Sequence, residues 1–365
     1  MTVSSNKKLL IVCPAPQGVA AGQRLKYEQY LPEWREAGYE ITVFSFMDMA
    51  MWKIVYTKGN MPRKIAGTLR GILRSWWMLL TVPRYDGVYV HMYVTPVGTS
   101  LPERILRLLA RKIVYDIEDN VMLGQKGKVN FFKRMLRAKG KFEFLIRKSD
   151  HVITSSPFLN EDCLKLNEQH GCTYISSSMD TSRFTVVNTY DNADKPVIGW
   201  TGTFSSRVYL DILRNVFIEL KKQRDFKLLV IGNFDYEFPE MDLEVIQWTS
   251  EHEVRDLQRM DIGVYPLPID NWVLGKSGLK AIQYMTIGIP AVATEVGTTP
   301  LLITNGTNGC LVTTEADWIE TLKALIDNPD LRRQIGTAAR ESIVKNYSKD
   351  AIGHQYLNIL NTTIH

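Results

Sequence analysis

Cysteine is scarce in this chain: four in 365 residues (Cys13, Cys163, Cys172 and Cys310), none in a C-x-x-C pair. That excludes a zinc knuckle and a dithiol redox motif, and isolated thiols suit a reducing compartment. Histidine is nearly as rare, and His91, His151, His170, His252, His354 and His365 show no metal-ligand spacing, so no metal site is expected. No apolar run approaches the ~20 residues of a membrane-spanning helix. The run behind Lys7 and Lys8 stops at Pro14, too soon for the h-region of a secretory signal, and reads as a first β-strand. No G-x-G-x-x-G follows any strand, which disfavours hydride transfer with a nicotinamide cofactor. A cytoplasmic protein without a resident cofactor is the expectation.

What is present is the balance of an ordered globular protein, 45% hydrophobic and 23% charged. The length fits two domains. A formal charge of +5 does not by itself imply nucleic acid, but it favours anionic partners such as phosphates or acidic lipid surfaces.

Short apolar runs alternate with helical segments. Leu9–Val12, Glu40–Phe44, Gly87–Val90, Lys112–Tyr115 and His151–Thr154 read as strands, and Gln23–Ala37 as one helix stopped by Gly38. The pattern restarts with strands at Pro196–Trp200, Lys227–Ile231, Ile262–Tyr265 and Pro290–Ala293. Helices between them are expected at Tyr209–Arg224, His252–Met260 and Leu279–Ile287. Such alternation means βαβ units and parallel sheets, hence an α/β fold of two Rossmann-like domains. The polar stretch Asn188–Lys195 reads as the linker between residues 1–187 and 188–347. Ligands of such domains bind beyond the carboxyl ends of the strands, here in an expected cleft between the two.

The strongest chemistry lies at Gly275–Lys280, where small residues run directly into a helix. Backbone N–H groups of Ser277, Gly278 and Leu279 at the helix start suit an anion, and Lys276 and Lys280 can pair with phosphate oxygens. The plainer reading of the same spacing is a capped helix with two solvated lysines.

This stretch resembles the sugar-nucleotide loop of the retaining glycosyltransferases of family four (glycosyl transferases group 1). Their pattern is E-G-F-G-L, three residues, then E-A-M-A-x-G-x-P-V-V-A. Gly278, Leu279, Met285, Gly288, Pro290, Val292 and Ala293 match it, as do Val296-Gly297 and Asn305–Gly309 with the family's V-G and D-G-x-N-G turns. The two motif glutamates are replaced by Gly275 and Gln283, in the form G-K-x-G-x-K-x-x-Q-Y-M of some branches. Gln283 can hydrogen-bond ribose or sugar hydroxyls but cannot act as an anion. Similarities continue at Gly22–Arg24, Tyr30–Pro32, Ala37–Tyr39, Val114–Asp119, Lys148–Val152, Ile198–Thr203 and Tyr209-Leu210. The resemblance implies the GT-B architecture and transfer of a sugar, with retention, from a nucleoside diphosphate sugar to an acceptor hydroxyl. It also implies a bacterial surface-polysaccharide setting and a last helix, within residues 348–365, that packs back on the first domain.

Further candidates follow. Gly202 and Thr203 offer small donors at a strand end, and Arg207 follows near where the family often places a basic residue on the diphosphate, although the family's G-R…K spacing is not reproduced; Trp248 stands at the strand end where the family contacts the base; the alternatives are an exposed arginine and a core tryptophan. In the first domain Asp116, Glu118 and Asp119 end a strand and are candidates for acid–base or charge-stabilising work. Strand alternation puts Asp116 and Glu118 on one face if the strand extends that far. His91 ends a neighbouring strand and is a candidate for sugar contact. Gly18, Gly22, Gln23 and Arg24 suit acceptor binding.

Two basic, aromatic segments remain. Residues 61–83 carry Arg63, Lys64, Arg70 and Arg74 beside Trp76 and Trp77 with no acid, and residues 126–148 are similarly basic around Phe131, Phe132, Phe142 and Phe144. They read as interfacial helices on anionic lipid that present a lipid-linked acceptor, or as basic faces with the aromatics packed inward. Nothing else supports nucleic acid. Rival readings are a metal-dependent enzyme using Asp116, Glu118 and Asp119, a sugar-nucleotide epimerase, and a sugar-nucleotide-binding scaffold whose glutamate pair has decayed.

Overall fold

The computed structural model describes residues 6–55, 57, 59–96, 98–118, 139–186 and 195–364. The chain divides into two compact units, residues 1–176 with 353–365, and residues 177–352. The expected linker, apart from Lys195, lies outside the described residues.

The first unit is built on β1 (Lys7–Cys13), β2 (Tyr39–Ser45), β3 (Gly87–His91), β4 (Ile113–Ile117), β5 (His151–Thr154) and β6 (Cys172–Tyr174). They form one sheet in the order β2-β1-β3-β4-β5-β6, parallel throughout. β3 and β4 are buried along their whole length, as strands covered by helices on both faces must be. Val12, Val90, Tyr115 and Ile146 lie in the core on one side.

The second unit carries β7 (Val197–Gly202), β8 (Lys227–Gly232), β9 (Leu243–Gln247), β10 (Ile262–Tyr265), β11 (Ala291–Thr294) and β12 (Cys310–Val312). Their order, β12-β11-β10-β7-β8-β9, is that of the doubly wound dinucleotide fold, with the chain reversing direction across the sheet between β7 and β10. Trp200, Phe217, Val230, Val264 and Leu322 fill its core.

Two expected helices are broken into pieces. In place of one helix over Gln23–Ala37 there are Ala21–Arg24, a 3₁₀ turn Glu28–Tyr30 and Leu31–Glu36. Pro32 has no N–H to continue a preceding helix and is suited to the first turn of a new one. Gly38, at φ 93°, ends the last piece in the left-handed region. The second, over Tyr209–Arg224, becomes Arg207–Leu210, the 3₁₀ turn Asp211–Leu213 and Arg214–Lys221. Asp211 accepts hydrogen bonds there from Arg214 Nε (3.0 Å) and the Tyr236 hydroxyl (2.9 Å).

The helix Lys349–Thr363 closes the chain. Lys7 Nζ donates to the carbonyl of Ile364 (2.7 Å), the Tyr39 hydroxyl meets Asn361 Oδ1 (2.9 Å), and the rings of Tyr30 and Tyr356 lie 5.0 Å apart. None of the described helices is long and apolar enough to cross a membrane.

Candidate functional site

In the second unit the sheet order reverses between β7 and β10, the switch point where ligands of doubly wound sheets bind. The chain leaves β10, makes a 3₁₀ turn at Val273–Gly275, and enters the helix Leu279–Thr286 through Gly278 at φ 75°. A Cβ on Gly278 would stand 2.4 Å from Leu302 Cδ1 and 3.0 Å from Thr298 Oγ1, so conformation and space both demand glycine. No side chain caps this helix start, and its first-turn N–H groups are the donors an anion would use. Lys276 and Lys280 flank it, with Lys280 Nζ 5.5 Å from the ring centres of both Trp200 and Tyr265, and Lys276 Nζ 5.9 Å from that of Trp272. Ser277 and Gln283 are buried beside them.

The cradle is pinned from below and behind. The buried hydroxyl of Tyr284 accepts from the backbone N–H of Thr201 (2.9 Å) and donates to the carbonyl of Val264 (3.3 Å), tying the helix to the ends of β7 and β10. Gly263 makes room for that ring, since a Cβ there would lie 2.2 Å from it. Thr298 Oγ1 donates to the carbonyl of Lys276 (2.9 Å), and Thr299 ties back to the carbonyl of Thr294 (2.6 Å). The turn at Asn305–Gly309 is structural. Asn308 Oδ1 accepts from Thr304 N–H (2.7 Å) and Asn305 Oδ1 from Leu311 N–H (2.9 Å).

Beyond β7, Gly202 packs so closely that a Cβ would lie 2.3 Å from Trp200 and 2.7 Å from Ser206 Oγ. Thr203 N–H donates to Ser206 Oγ (3.0 Å), and Arg207 stacks over the exposed ring of Phe204 at 5.5 Å. Trp248 follows β9 half-buried, its indole N–H directed at Glu253 Oε1 (3.3 Å) and its backbone N–H donating to Gly232 (2.8 Å).

In the first unit the three acidic candidates have separate fates. Asp116 is fully buried at the end of β4, and its carboxylate meets the Lys26 ammonium and the Tyr89 hydroxyl. His91 Nδ1 lies 3.5 Å from the same carboxylate, too far for a good hydrogen bond. Burial would raise the Asp116 carboxyl, but the Lys26 charge, with His91 beside it, holds it down at about 2. Both side chains lie beneath the surface, Asp116 fully buried and His91 2% exposed. Glu118 lies just past the end of the strand at Ile117, half-buried, with a carboxylate oxygen that a Cβ on Gly22 would meet at 2.3 Å. Asp119 lies outside the described residues. Among the described residues no group of three His, Cys, Asp or Glu comes together as a metal site.

Gln23 is a fastener of the loop after β1. Its amide exchanges hydrogen bonds with the backbone of Ala15 (2.8 and 3.0 Å) and donates to Glu28 Oε1 (3.0 Å), while Glu28 Oε2 accepts from Gly18 N–H (2.8 Å). Gly18, at φ 78°, is exposed on that loop, and Arg24 is buried in the turn that follows. Cys13 beneath it is pushed up to about 12 by burial and stays a thiol. Sequence reading singled out neither Lys26, Tyr89, Thr298 nor Tyr284 as site residues. Tyr284 alone had a signal, its place in the G-K-x-G-x-K-x-x-Q-Y-M stretch.

Residues 195–328, within the second unit, match the family model Glycosyl transferases group 1. The chain is 25% identical over 191 residues to trehalose synthase of Pyrococcus horikoshii, a stretch covering 46% of this chain and 44% of that protein. It is 28% identical over 150 residues to N-acetyl-alpha-D-glucosaminyl L-malate synthase of Bacillus anthracis, 39% of each. The aligned stretches thus span less than half the length of these curated relatives. Among solved structures, sucrose-phosphate synthase of Thermosynechococcus elongatus superposes with a TM-score of 0.73 at 15% identity, covering 98% of both chains. HepE of Anabaena in complex with UDP-glucose gives 0.68 at 14%, covering 97% of this chain and 99% of that one. The fold is α/β, of the GT-B type.

Proposed function

We propose that this protein is a glycosyltransferase that takes its sugar from a nucleoside diphosphate donor held by the second unit. The observation that carries the reading is the helix start at Gly278, uncapped and flanked by Lys276 and Lys280, inside the segment that matches the glycosyltransferase family model. The N–H groups of Ser277, Gly278 and Leu279 and the two ammonium groups face the diphosphate. They stabilise it more as the bond to the sugar breaks, because negative charge then accumulates on the leaving oxygen. Gln283 supplies neutral hydrogen bonds to ribose or sugar hydroxyls, Gly202, Thr203 and Arg207 line the phosphate side, and Trp248 meets the base.

The reaction breaks the anomeric carbon–phosphate oxygen bond and forms a bond from that carbon to the acceptor oxygen. We assign the acceptor's proton to the leaving diphosphate, with retention at the anomeric carbon. This scheme needs no enzyme nucleophile. The loop at Gly18–Arg24 is the acceptor side, and Glu118, packed against Gly22, is a carboxylate beside it that is not among the loop's own fasteners, as Glu28 is. Asp116 and His91 act as positioning residues, braced by Lys26 and Tyr89. The acceptor class is a glycan or lipid-linked sugar of bacterial surface polysaccharide assembly, consistent with likeness to the lipopolysaccharide outer core galactosyltransferase WaaB (TM-score 0.62, 14% identity).

The test is incubation with nucleoside diphosphate sugars, beginning with UDP-glucose, and candidate saccharide acceptors. Nucleoside diphosphate release that requires an acceptor, with a product of the donor's anomeric configuration by NMR, is expected. Donor turnover without an acceptor would favour the epimerase, and donor binding without turnover the scaffold in which Gly275 and Gln283 mark lost chemistry.

A further inference from the structure

The helix Met61–Thr81 turns a large apolar face outward. Asn60, at φ 56°, and Pro62 in the first turn set its start. Its inward face is small: Gly71 lies so close to Phe46 that a Cβ would stand 2.7 Å from the ring, and Gly67 rests on Met51. Most of its large apolar residues point away from the protein, Met78 and Leu79 near its end being the buried exceptions. Met61, Ile65, Leu69, Leu73, Trp77 and Leu80 are 54–72% exposed. Spaced by three or four residues, they make one continuous stripe along about 31 Å of helix.

A buried helix would carry these residues inward, and a solvated one would not carry them at all. The aromatics therefore do not pack inward in this helix: Trp77 is 72% exposed and Trp76 40%. Arg63, Arg70 and Arg74 follow one another along one flank of the stripe, and the helix has no acidic residue. Arg70 also pairs with Asp48 (3.2 Å), and Arg74 lies over the Phe44 ring (5.4 Å). A cavity of about 360 Å³, lined by Asp48, Met51, Ile54, Arg63, Gly67 and Arg70, opens on that same flank.

We infer that this face docks on the surface of an anionic lipid bilayer, the helix lying in the plane of the interface. The stripe enters the acyl boundary, the tryptophans sit at headgroup level, and the arginine flank meets the lipid phosphates. Charge decides between occupants: three arginines along one edge oppose a second copy of the same cationic face and favour an anionic sheet. The inference does not rest on the proposed reaction. It would bring the enzyme to lipid-linked acceptors if that reading holds.

The test is sedimentation of the full chain with vesicles of phosphatidylcholine alone and with about 30% phosphatidylglycerol added. Binding to the anionic vesicles is expected. Leu73→Ser with Trp77→Ser, both at exposed positions, should weaken it at least ~30-fold from lost apolar burial. Arg63→Gln with Arg74→Gln should weaken it about 30-fold, roughly fivefold for each arginine at an anionic surface. Circular dichroism and the donor-induced thermal shift of these variants should match wild type, which separates this inference from the proposed function. No binding to anionic vesicles, equal binding to both compositions, or unchanged binding by the variants would overturn it. So would a dimer, seen by analytical ultracentrifugation, that dissociates in the serine variant while vesicle binding is absent.

Discussion

Replacing Gly278 by alanine probes the cradle at its tightest point. At φ 75° the residue lies in the left-handed region, which costs an L-residue about 1–2 kcal/mol. The new methyl would stand 2.4 Å from Leu302 Cδ1, and overpacking of this kind adds about 1–3 kcal/mol. A central value of about 3 kcal/mol lowers the midpoint of a domain this size by roughly 6–12 °C. The assay is calorimetry or urea unfolding of Gly278→Ala in two backgrounds, wild type and Leu302→Ala. Trimming Leu302 removes the clash but not the backbone cost. The alanine should therefore cost at least ~1 kcal/mol less in the second background. A cost within ~0.5 kcal/mol of zero, or the same cost in both backgrounds, refutes the packing account.

Tyr284→Phe strands the buried Thr201 N–H and Val264 carbonyl and should cost about 1–3 kcal/mol by urea unfolding, with weaker donor binding by calorimetry. Lys26→Met leaves the Asp116 carboxylate buried without its cation, a loss of about 3–5 kcal/mol at neutral pH. Asp116 titrates at about 2 in the folded chain against an ordinary 3.8. Its stabilisation is full above the ordinary value and lost as pH falls from about 4 through 2, worth about 2 kcal/mol. A Lys26→Met/Asp116→Asn double variant should lack that portion of the acid unfolding curve. Glu118→Gln should lower kcat with a smaller loss of melting temperature than Asp116→Asn, which should lower both; equal effects would undo the division of roles between the two.

Strands were the most legible part of the sequence. The buried apolar runs at β1, β5, β8 and β10 need only composition and punctuation to be read, and the Gly278 cradle is visible because glycine, lysine and a helix start share one short stretch. Breaks in regular structure were hidden. The helix at Gln23–Ala37 already stops at Arg24 and restarts at Leu31 with Pro32 in its first turn, and in the one at Tyr209–Arg224 Asp211 is held by Arg214 and, from far along the chain, by Tyr236. The three-residue strands β6 and β12 sit at sheet edges, where no long apolar run is required. Asp116 stands out in the sequence by its acidic neighbours, but Lys26 and Tyr89, distant along the chain, decide its environment. The outward tryptophans of residues 61–81 could not be told from inward ones, because periodicity gives a stripe and not its direction.

The most direct test of the central claim is titration calorimetry of nucleoside diphosphate sugars, UDP-glucose first, into wild type, Lys276→Ala and Lys280→Ala. Binding of one donor that weakens about 10- to 150-fold in each lysine variant, the range for a lost charged hydrogen bond, is the expected result. Donor binding indifferent to both lysines, or no binding of any donor, would contradict the Gly275–Lys280 cradle as the diphosphate site.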